Sequence, residues 1–461
     1  MQDYIKKYEE AVEYLCRIPR FRSNHSLEKI ADFLTRMGQP DRQMKIVHIA
    51  GTNGKGSASA YLAGLLECAG FKVGLFTSPH LIDVRERFRV NGSMISKELF
   101  VEAVRSVQEL LETVEDDYQP CYFDMMFFVG MYAFCREQVD ILILETGLGG
   151  RLDATNAVSA KVLTMITHIA LDHTEYLGDT LRAIAEEKAG IMMAKVPCVV
   201  AAHNEEVSYV FLKKAAELGC ECRILEKEDY GCQRVYEKSV DFSYFSSYYG
   251  TVEITLNTPA LYQVDNVCLA LAGLESLIKQ EVLTIKDLSA EMIQKVLYKT
   301  TWEGRMEEIL PNIFLDGAHN TDGITAFLDS VKADGCKGRR LLIFSAVSDK
   351  AYGEMLKAVL QSGLFTDVFV TEVSGERGVS AEDLLACARI LDAKFSESEP
   401  EDGKAVCTIE PHLDKAIRIA LTKQQYSDHI YIVGSLYLVG QAKKILSNHL
   451  EFSERKKGEP A

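Results

Sequence analysis

Residues 51–57 read Gly-Thr-Asn-Gly-Lys-Gly-Ser, so three glycines surround a single lysine, Lys55. A glycine-rich turn between a buried parallel strand and a helix points several backbone N–H groups outward with the helix dipole behind them, which makes a cradle for phosphate. Thr52, Asn53, Gly54, Gly56 and Ser57 form that cradle in this reading, and Lys55 reaches the β- and γ-phosphate oxygens of a nucleotide. The spacing departs from the usual phosphate loop, because Gly56 separates Lys55 from Ser57. A turn needing glycine only for positive φ would have the same composition. The flanks favour phosphate, since Lys45–Ala50 has strand composition and residues 57–69 have helical period, with Gly70 as the stop.

Four further stretches place polar groups beside apolar runs. In VDILILETGLGGRLDATN, Glu145 ends an all-apolar segment just before a glycine-rich loop, where open α/β sheets bind ligands. A carboxylate there suits a magnesium ion bridging nucleotide phosphates, and equally an ordinary strand-ending acid. THIALDHTEYLGDTLRAIAEEKAGI offers Asp172, His173 and Glu175, a second metal position if the first exists, followed by a helix carrying Lys188. Lys188 also fits a plain basic residue in a last helical turn ended by Gly190. In FTSPHLIDVRERFRVNG, Arg85, Arg87 and Arg89 recur at period two, so an extended segment would share one face able to hold a polyanion or to meet solvent. In EGRMEEILPNIFLDGAHNTDG, Arg305 precedes one strand, while Asp316, His319 and Asn320 crowd the end of the next. A second domain supplying an arginine and an acid can close over a nucleotide held by the first.

The elements that position these groups follow from length and pattern. A chain of 461 residues exceeds what one core usually supports, so two domains are expected, and 47% apolar residues suffice to fill both. A formal net charge of −16, with no cluster of excess lysine and arginine, argues against nonspecific binding to nucleic acid or an anionic membrane. The charged start MQDYIKKYEEAVEYL does not read as a signal peptide, and no segment reaches the ~18 apolar residues of a membrane span. MMFFVGMYAF reads as a buried helix. The twelve cysteines lack CxxC spacing even at Cys220 and Cys222, so they read as reduced core residues in a cytoplasmic protein.

Strands expected at residues 45–50, 72–76, 141–145, 162–167 and 198–201 alternate with helices at 97–114, 123–138, 180–190 and 205–218, which means a parallel sheet wrapped by helices. Residues 231–257 turn aromatic and β-branched, suggesting a small antiparallel sheet, and helices follow at 265–278 and 288–297. After Thr300 strands at 313–316, 340–346, 367–372 and 430–434 alternate with helices at 321–332, 352–361, 381–389 and 412–421, a second α/β domain. SESEPEDGK from Ser396 reads as a solvated loop, and residues 451–461 as a disordered tail.

The order HIAGTNGKGSA, FTSPHL, ERFRVNG, ETGLGGRLDATN, LDHTEYLGDTLRAIAEEKAGI, WEGRMEEI, DGAHN and VGSLYLVG resembles folylpolyglutamate synthase and the bifunctional dihydrofolate synthase of the Mur ligase superfamily, from about Tyr8 to Gly440. The resemblance implies an α/β protein: an N-terminal P-loop-type parallel-sheet ATPase domain over 1–299, with the small antiparallel sheet appended, and a C-terminal Rossmann-like α/β domain over 300–450. It implies ATP-driven amide formation, in which a substrate carboxylate takes the γ-phosphate to give an acyl phosphate that the amino group of glutamate then attacks. Such chemistry needs neutralised phosphate charge more than an acid or base.

By the same resemblance Lys55 and Ser57 bind phosphates, Ser78 and Glu145 coordinate a first magnesium ion, and His173 a second. Lys188 matches a lysine that is carbamylated into a carboxylate-like ligand. Asn266 and Asp316 match positions that hold adenine and ribose; Arg305 and His319 face the phosphates; Pro79, His80, Arg87, Phe123 and Asp153 lie on the folate side. Catalysis would rest on Lys55, Lys188, His173 and Arg305. The chain departs from the family pattern at Tyr262, where histidine is common, at Asp124 for glutamate, at Ala351 for a second aspartate and at Ser345 for glycine. The expected partners are small molecules alone, ATP, L-glutamate and a folate or dihydropteroate, with monomer as the family default. A Mur-type ligase with another carboxylate acceptor and a nucleotide-dependent switch without ligase chemistry are the alternatives.

Overall fold

The computed structural model describes residues 2–20, 26–114, 118–201, 203–284, 286, 288–375, 377–391 and 405–458. The first 224 residues supply an eight-stranded sheet: β1 (Lys45–Ala50), β2 (Val73–Phe76), β3 (Phe88–Val90), β4 (Ser93–Met94), β5 (Ile141–Glu145), β6 (Lys161–Ile166), β7 (Cys198–Val200) and β8 (Cys222–Ile224). Their order is β4-β3-β2-β5-β1-β6-β7-β8, parallel from β2 to β8, with β3 and β4 antiparallel at one edge. β1 and β5 are apolar along nearly their whole length because both faces of a parallel sheet are covered by helices. On one face Lys55–Cys68 and Gln263–Lys279 pack over β1 and β6. On the other, Tyr122–Arg136 carries Met125, Phe127, Phe128 and Phe134 fully buried, the MMFFVGMYAF helix expected from sequence.

The small sheet comprises β9 (Tyr230–Val235), β10 (Val240–Ser246) and β11 (Gly250–Leu256), an antiparallel meander. Glu275, buried on the helix Gln263–Lys279, ties it down. Its carboxylate accepts from Arg223 Nη1 at 2.5 Å, Ser246 Oγ at 2.5 Å and the Ser247 amide at 3.1 Å.

After residue 300 comes a six-stranded sheet: β12 (Glu307–Leu310), β13 (Ile313–Asp316), β14 (Arg340–Phe344), β15 (Asp367–Val370), β16 (Val406–Ile409) and β17 (His429–Val433). The order is β12-β13-β17-β14-β15-β16, with only β12 antiparallel, and buried apolar clusters line both faces. No helix among the described residues is long and apolar enough to cross a membrane. The described cysteines are free thiols, and several of them are exposed or half-buried rather than core residues.

Two expectations need correction. Arg85, Arg87 and Arg89 do not share one extended face, because residues 84–87 wind into a short 3-10 helix. Asp83 accepts from the Arg85 amide, and Glu86 takes the amides of Leu81, Ile82 and Asp83 at 2.7–2.9 Å, a local bonding pattern that competes with extension. Gly190 ends the helix Leu181–Ala189 as expected, with φ −60°, and a Cβ there would lie 2.3 Å from Arg151 Cβ, so glycine also serves a close chain approach. The helix Leu436–Gly458 continues past residue 450, where a disordered tail was expected, since Glu, Arg and Lys in that stretch are good helix formers. The SESEPEDGK segment lies outside the described residues.

Glu275→Ala should lower unfolding free energy by about 2–3 kcal/mol, because it leaves Arg223 and the β10–β11 turn without their shared acceptor while Asp229 still neutralises part of the Arg223 charge. Denaturant melts of the two proteins measure this; coincident first transitions would refute the anchoring role.

Candidate active site

The carboxyl ends of β1, β5 and β6 open onto a cleft of about 440 Å³, which the second sheet's β13 and β17 ends face from across. From β1 the chain turns through Gly51 and Gly54 into the helix Lys55–Cys68. Gly54 is left-handed, with φ 91°, and a Cβ on it would lie 2.1 Å from Asn266 Oδ1. A Cβ on Gly51 would lie 1.8 Å from Thr167 Oγ1, and one on Gly56 2.8 Å from Trp302 Nε1. The glycines are therefore required by packing on three sides. Lys55 Nζ donates to the Gly51 and Thr52 carbonyls at 3.1 and 3.2 Å, folded over its own loop. Ser57 is buried, and its Oγ has no hydrogen-bond partner among the described residues, as befits an atom reserved for a ligand. Thr52 is held through its amide to His168 O and its hydroxyl to Ala170 O.

Glu145 is the last residue of β5 and is 3% exposed. Burial pushes its carboxyl up to about 7, against the pull of Lys55, and Oε2 accepts from the Ser78 amide at 3.1 Å. Ser57, Ser78 and Glu145 thus present oxygen donors, the set that magnesium prefers. Among the described residues no three His, Cys, Asp or Glu side chains converge on one point, so such an ion would take the rest of its shell from phosphate and water.

Lys188, 4% exposed, donates to Gly51 O at 2.8 Å; burial, with Lys55 nearby, lowers its ammonium to about 7. Lys188 does stand in a last helical turn ended by Gly190, and its ammonium also reaches beneath the phosphate loop. His173 adopts a left-handed φ of 50° and lines the same cleft, its Nε2 3.3 Å from Lys350 Nζ. Asp172 turns to the second half of the chain: Lys350 Nζ binds it at 2.5 Å, and although burial opposes ionisation, Lys350 and His319 hold its carboxyl below the usual range. Glu175 is exposed and does not line the cleft.

From the second half, Arg305 donates to Gly304 O at 2.9 Å and reaches the cleft beside Gly317, whose Cβ would lie 2.3 Å from Nη1. Asp316 lines the cleft, yet its oxygens accept from Tyr262 OH at 2.5 Å and from the Met306 and Ala318 amides. His319 is held down to about 4 by burial and Lys350. Its Nδ1 lies 2.7 Å from Gly317 O, which can only accept, so the proton sits on Nδ1 and Nε2 is bare. Asn266 Nδ2 donates to Gln263 Oε1 at 2.9 Å beside Gly54.

The folate-side residues divide. Pro79 lines the cleft. Arg87 is buried, donates to His80 Nδ1 at 2.9 Å and lies over the Tyr122 ring. The Phe123 ring is seated against Gly147, where a Cβ would lie 2.6 Å from Cζ. Asp153 is buried and binds the chain itself: Thr155 and the Gly147 and Leu148 amides occupy its oxygens. It holds the loop rather than facing the cleft.

Sequence reading overlooked the contacts that join the two halves. Asn53 Nδ2 binds Asp322 at 2.8 Å and exchanges amide bonds with Asn320, His168 binds Asp322 at 3.1 Å, and Lys350 binds Asp172. The available signal was position, since Lys350 follows β14 and Asp322 opens the helix Thr321–Ala333 after β13.

Two family models match: the Mur ligase middle domain over residues 124–274 and the Mur ligase glutamate ligase domain over residues 304–436. The dihydrofolate synthase/folylpolyglutamate synthase of Bacillus subtilis is 31% identical over 95% of this chain and 99% of its own length. That of Escherichia coli is 31% identical over 83% of this chain and 88% of its own. The structure of Mycobacterium tuberculosis folylpolyglutamate synthase complexed with ADP superposes with a TM-score of 0.85 at 25% identity, covering 96% of this chain and 99% of that one. Two linked α/β units meeting at a phosphate loop, matched along nearly their full length by these relatives, assign the chain: it belongs to the folylpolyglutamate synthase and dihydrofolate synthase family of Mur ligases.

Proposed function

We propose that this chain is an ATP-dependent ligase that joins L-glutamate to a folate, to dihydropteroate or to both, through an acyl phosphate. The observation that carries the reading is the opposition in one cleft of Lys55, Ser57 and Glu145 from the first half and Arg305 and His319 from the second. The division into an ATP-binding unit before residue 300 and a ligase unit after it follows the same line.

ATP would lie with its triphosphate on the amides of the phosphate loop. Lys55, released from its loop carbonyls, would follow the γ-phosphate, and Arg305 would approach the same oxygens from the facing unit. Magnesium held by Ser78 and Glu145, with a second ion at His173 and a carbamylated Lys188, would supply neutralisation of the phosphate charge. The acceptor carboxylate attacks the γ-phosphorus as ADP departs. The glutamate amine, having lost a proton, then attacks the acyl carbon, and phosphate leaves. Arg305 and Lys55 spread the charge that develops in the first step, while the closed cleft keeps water from the acyl phosphate. Bare Nε2 of His319 can accept a hydrogen bond in this arrangement without carrying charge. Carbamylation requires an uncharged amine, and the burial that lowers Lys188 makes one available near neutral pH.

Two substitutions test these roles. Lys55→Ala should cut acceptor-dependent phosphate release by roughly a hundredfold or more while leaving the circular dichroism spectrum and melting profile in place; turnover near the parent's would refute the phosphate-loop assignment. Lys188→Ala should lose most activity and regain part of it with added formate or acetate, which can stand in for the missing carboxylate. Full activity in Lys188→Ala would refute carbamylation. Comparing dihydropteroate, tetrahydrofolate and no acceptor in the same assay, with product mass, identifies the substrate.

A further inference from the structure

We propose that His48 is a positioning residue for the acceptor side of the cleft, acting through Thr155 and Asp153 on the turn at Gly147 and Leu148. The inference rests on the ligase reading above for the identity of the acceptor, and on the following geometry for the rest.

His48 sits in the middle of β1, fully buried on the face opposite Val47 and Ile49, three residues before the phosphate loop begins. Its Nε2 lies 2.8 Å from Thr155 Oγ1. The Thr155 hydroxyl donates to Asp153 Oδ1 at 2.5 Å, so its one proton is committed and its oxygen must accept from the imidazole. That fixes the hydrogen on Nε2 and leaves Nδ1 bare; Nδ1 is buried and has no hydrogen-bond partner among the described residues. Burial and the nearby Lys161 keep the ring uncharged.

Asp153 passes the constraint on. Besides the hydroxyl it accepts the Thr155 amide at 3.0 Å on Oδ1, and on Oδ2 the amides of Gly147 and Leu148 at 2.9 and 2.8 Å. Those two amides belong to the loop that leaves β5 just beyond Glu145, and the loop lines the cleft. Gly147 in turn backs the Phe123 ring. A chain of polar contacts therefore runs from the centre of the sheet to the aromatic wall on the folate side. The phosphate loop is held by other bonds, from the Thr52 amide to His168 O and from Lys188 to Gly51 O. Slackening the His48 chain should consequently disturb the acceptor and spare ATP.

The test compares His48→Met, which fills the space without a donor, with His48→Gln, whose amide can donate from near the Nε2 position. With the acceptor that the parent uses, His48→Met should raise the acceptor KM roughly tenfold and leave the KM for ATP within about twofold, and His48→Gln should recover most of the loss. An unchanged acceptor KM, or an equal rise in both, would overturn the inference while normal turnover by the parent left the ligase reading standing. Absence of acceptor-dependent turnover in the parent would overturn both. Should His48→Met fail to fold, Thr155→Val against Thr155→Ser asks the same question, with the same split of KM values expected. On the unmodified protein, nitrogen-15 histidine spectra should show the His48 proton on Nε2 and no titration between about pH 6 and 9; the opposite tautomer or a titrating ring would break the chain at its first link.

Discussion

The site depends on the parallel register of two strands. Ile49 of β1 is paired with Glu145 of β5, so the phosphate loop begins two residues past the position level with the carboxylate. Side chains alternate along a strand, and a slip of one residue would turn Glu145 to the opposite face and leave an apolar neighbour at the cleft. Five consecutive paired positions, with β5 wholly buried and β1 buried beyond Lys45, make such a slip prohibitive. The bond from the Thr146 amide to Ile49 O carries the same register one step beyond the strand. Catalytic geometry here is a by-product of core packing, which is why it can be tight on a loop rich in glycine.

The core also sets the electrostatics. Lys55 and Lys188 share the Gly51 carbonyl, Glu145 is buried nearby, and Asp172 is bound by Lys350 from the other half. Each charge alone would be expensive to bury, and together they offset one another only in part, as the raised Glu145 carboxyl and lowered Lys188 ammonium record. A polyphosphate entering this cleft meets groups already desolvated, so less reorganisation is required when charge develops.

Much of this was legible in the chain. β1, β5 and the helix Tyr352–Gln361 show in sequence through apolar pattern, and in the helix Glu205–Leu218 the cap agrees with it, since Asn204 accepts from the Val207 amide. Glu145 and Lys55 were visible because they interrupt apolar or glycine-rich runs. The short strands β3, β4 and β8 were not, since two or three residues carry too little pattern and owe their conformation to a neighbouring strand. Arg87 was misplaced because the carboxylate of Glu86 rewinds the backbone locally. Asp153 was read as a ligand contact, and its hydrogen bonds show a loop anchor, a distinction that depends on which way a carboxylate turns after a chain reversal. The pairing of Asp172 with Lys350, 178 residues apart, left no signal beyond the place of each after an apolar strand.

The joint between the two halves differs in character along its length. Across the cleft it is polar: Asn53 with Asn320 and Asp322, His168 with Asp322, Asp172 with Lys350. Beside the Ser78–Pro79 segment it is apolar, with Leu81 packed against Gly304, Val439 and the backbone at Gly440. Separating the half-exposed contact of His168 with Asp322 exchanges it for water and costs little net free energy, the Asp172–Lys350 pair is buried and falls outside that comparison, and withdrawing Leu81 exposes apolar surface on both sides. Gly440 permits this contact, because a Cβ there would lie 2.3 Å from Leu81 O. The apolar contact is thus the part that resists, and the polar part is the one substrates must cross.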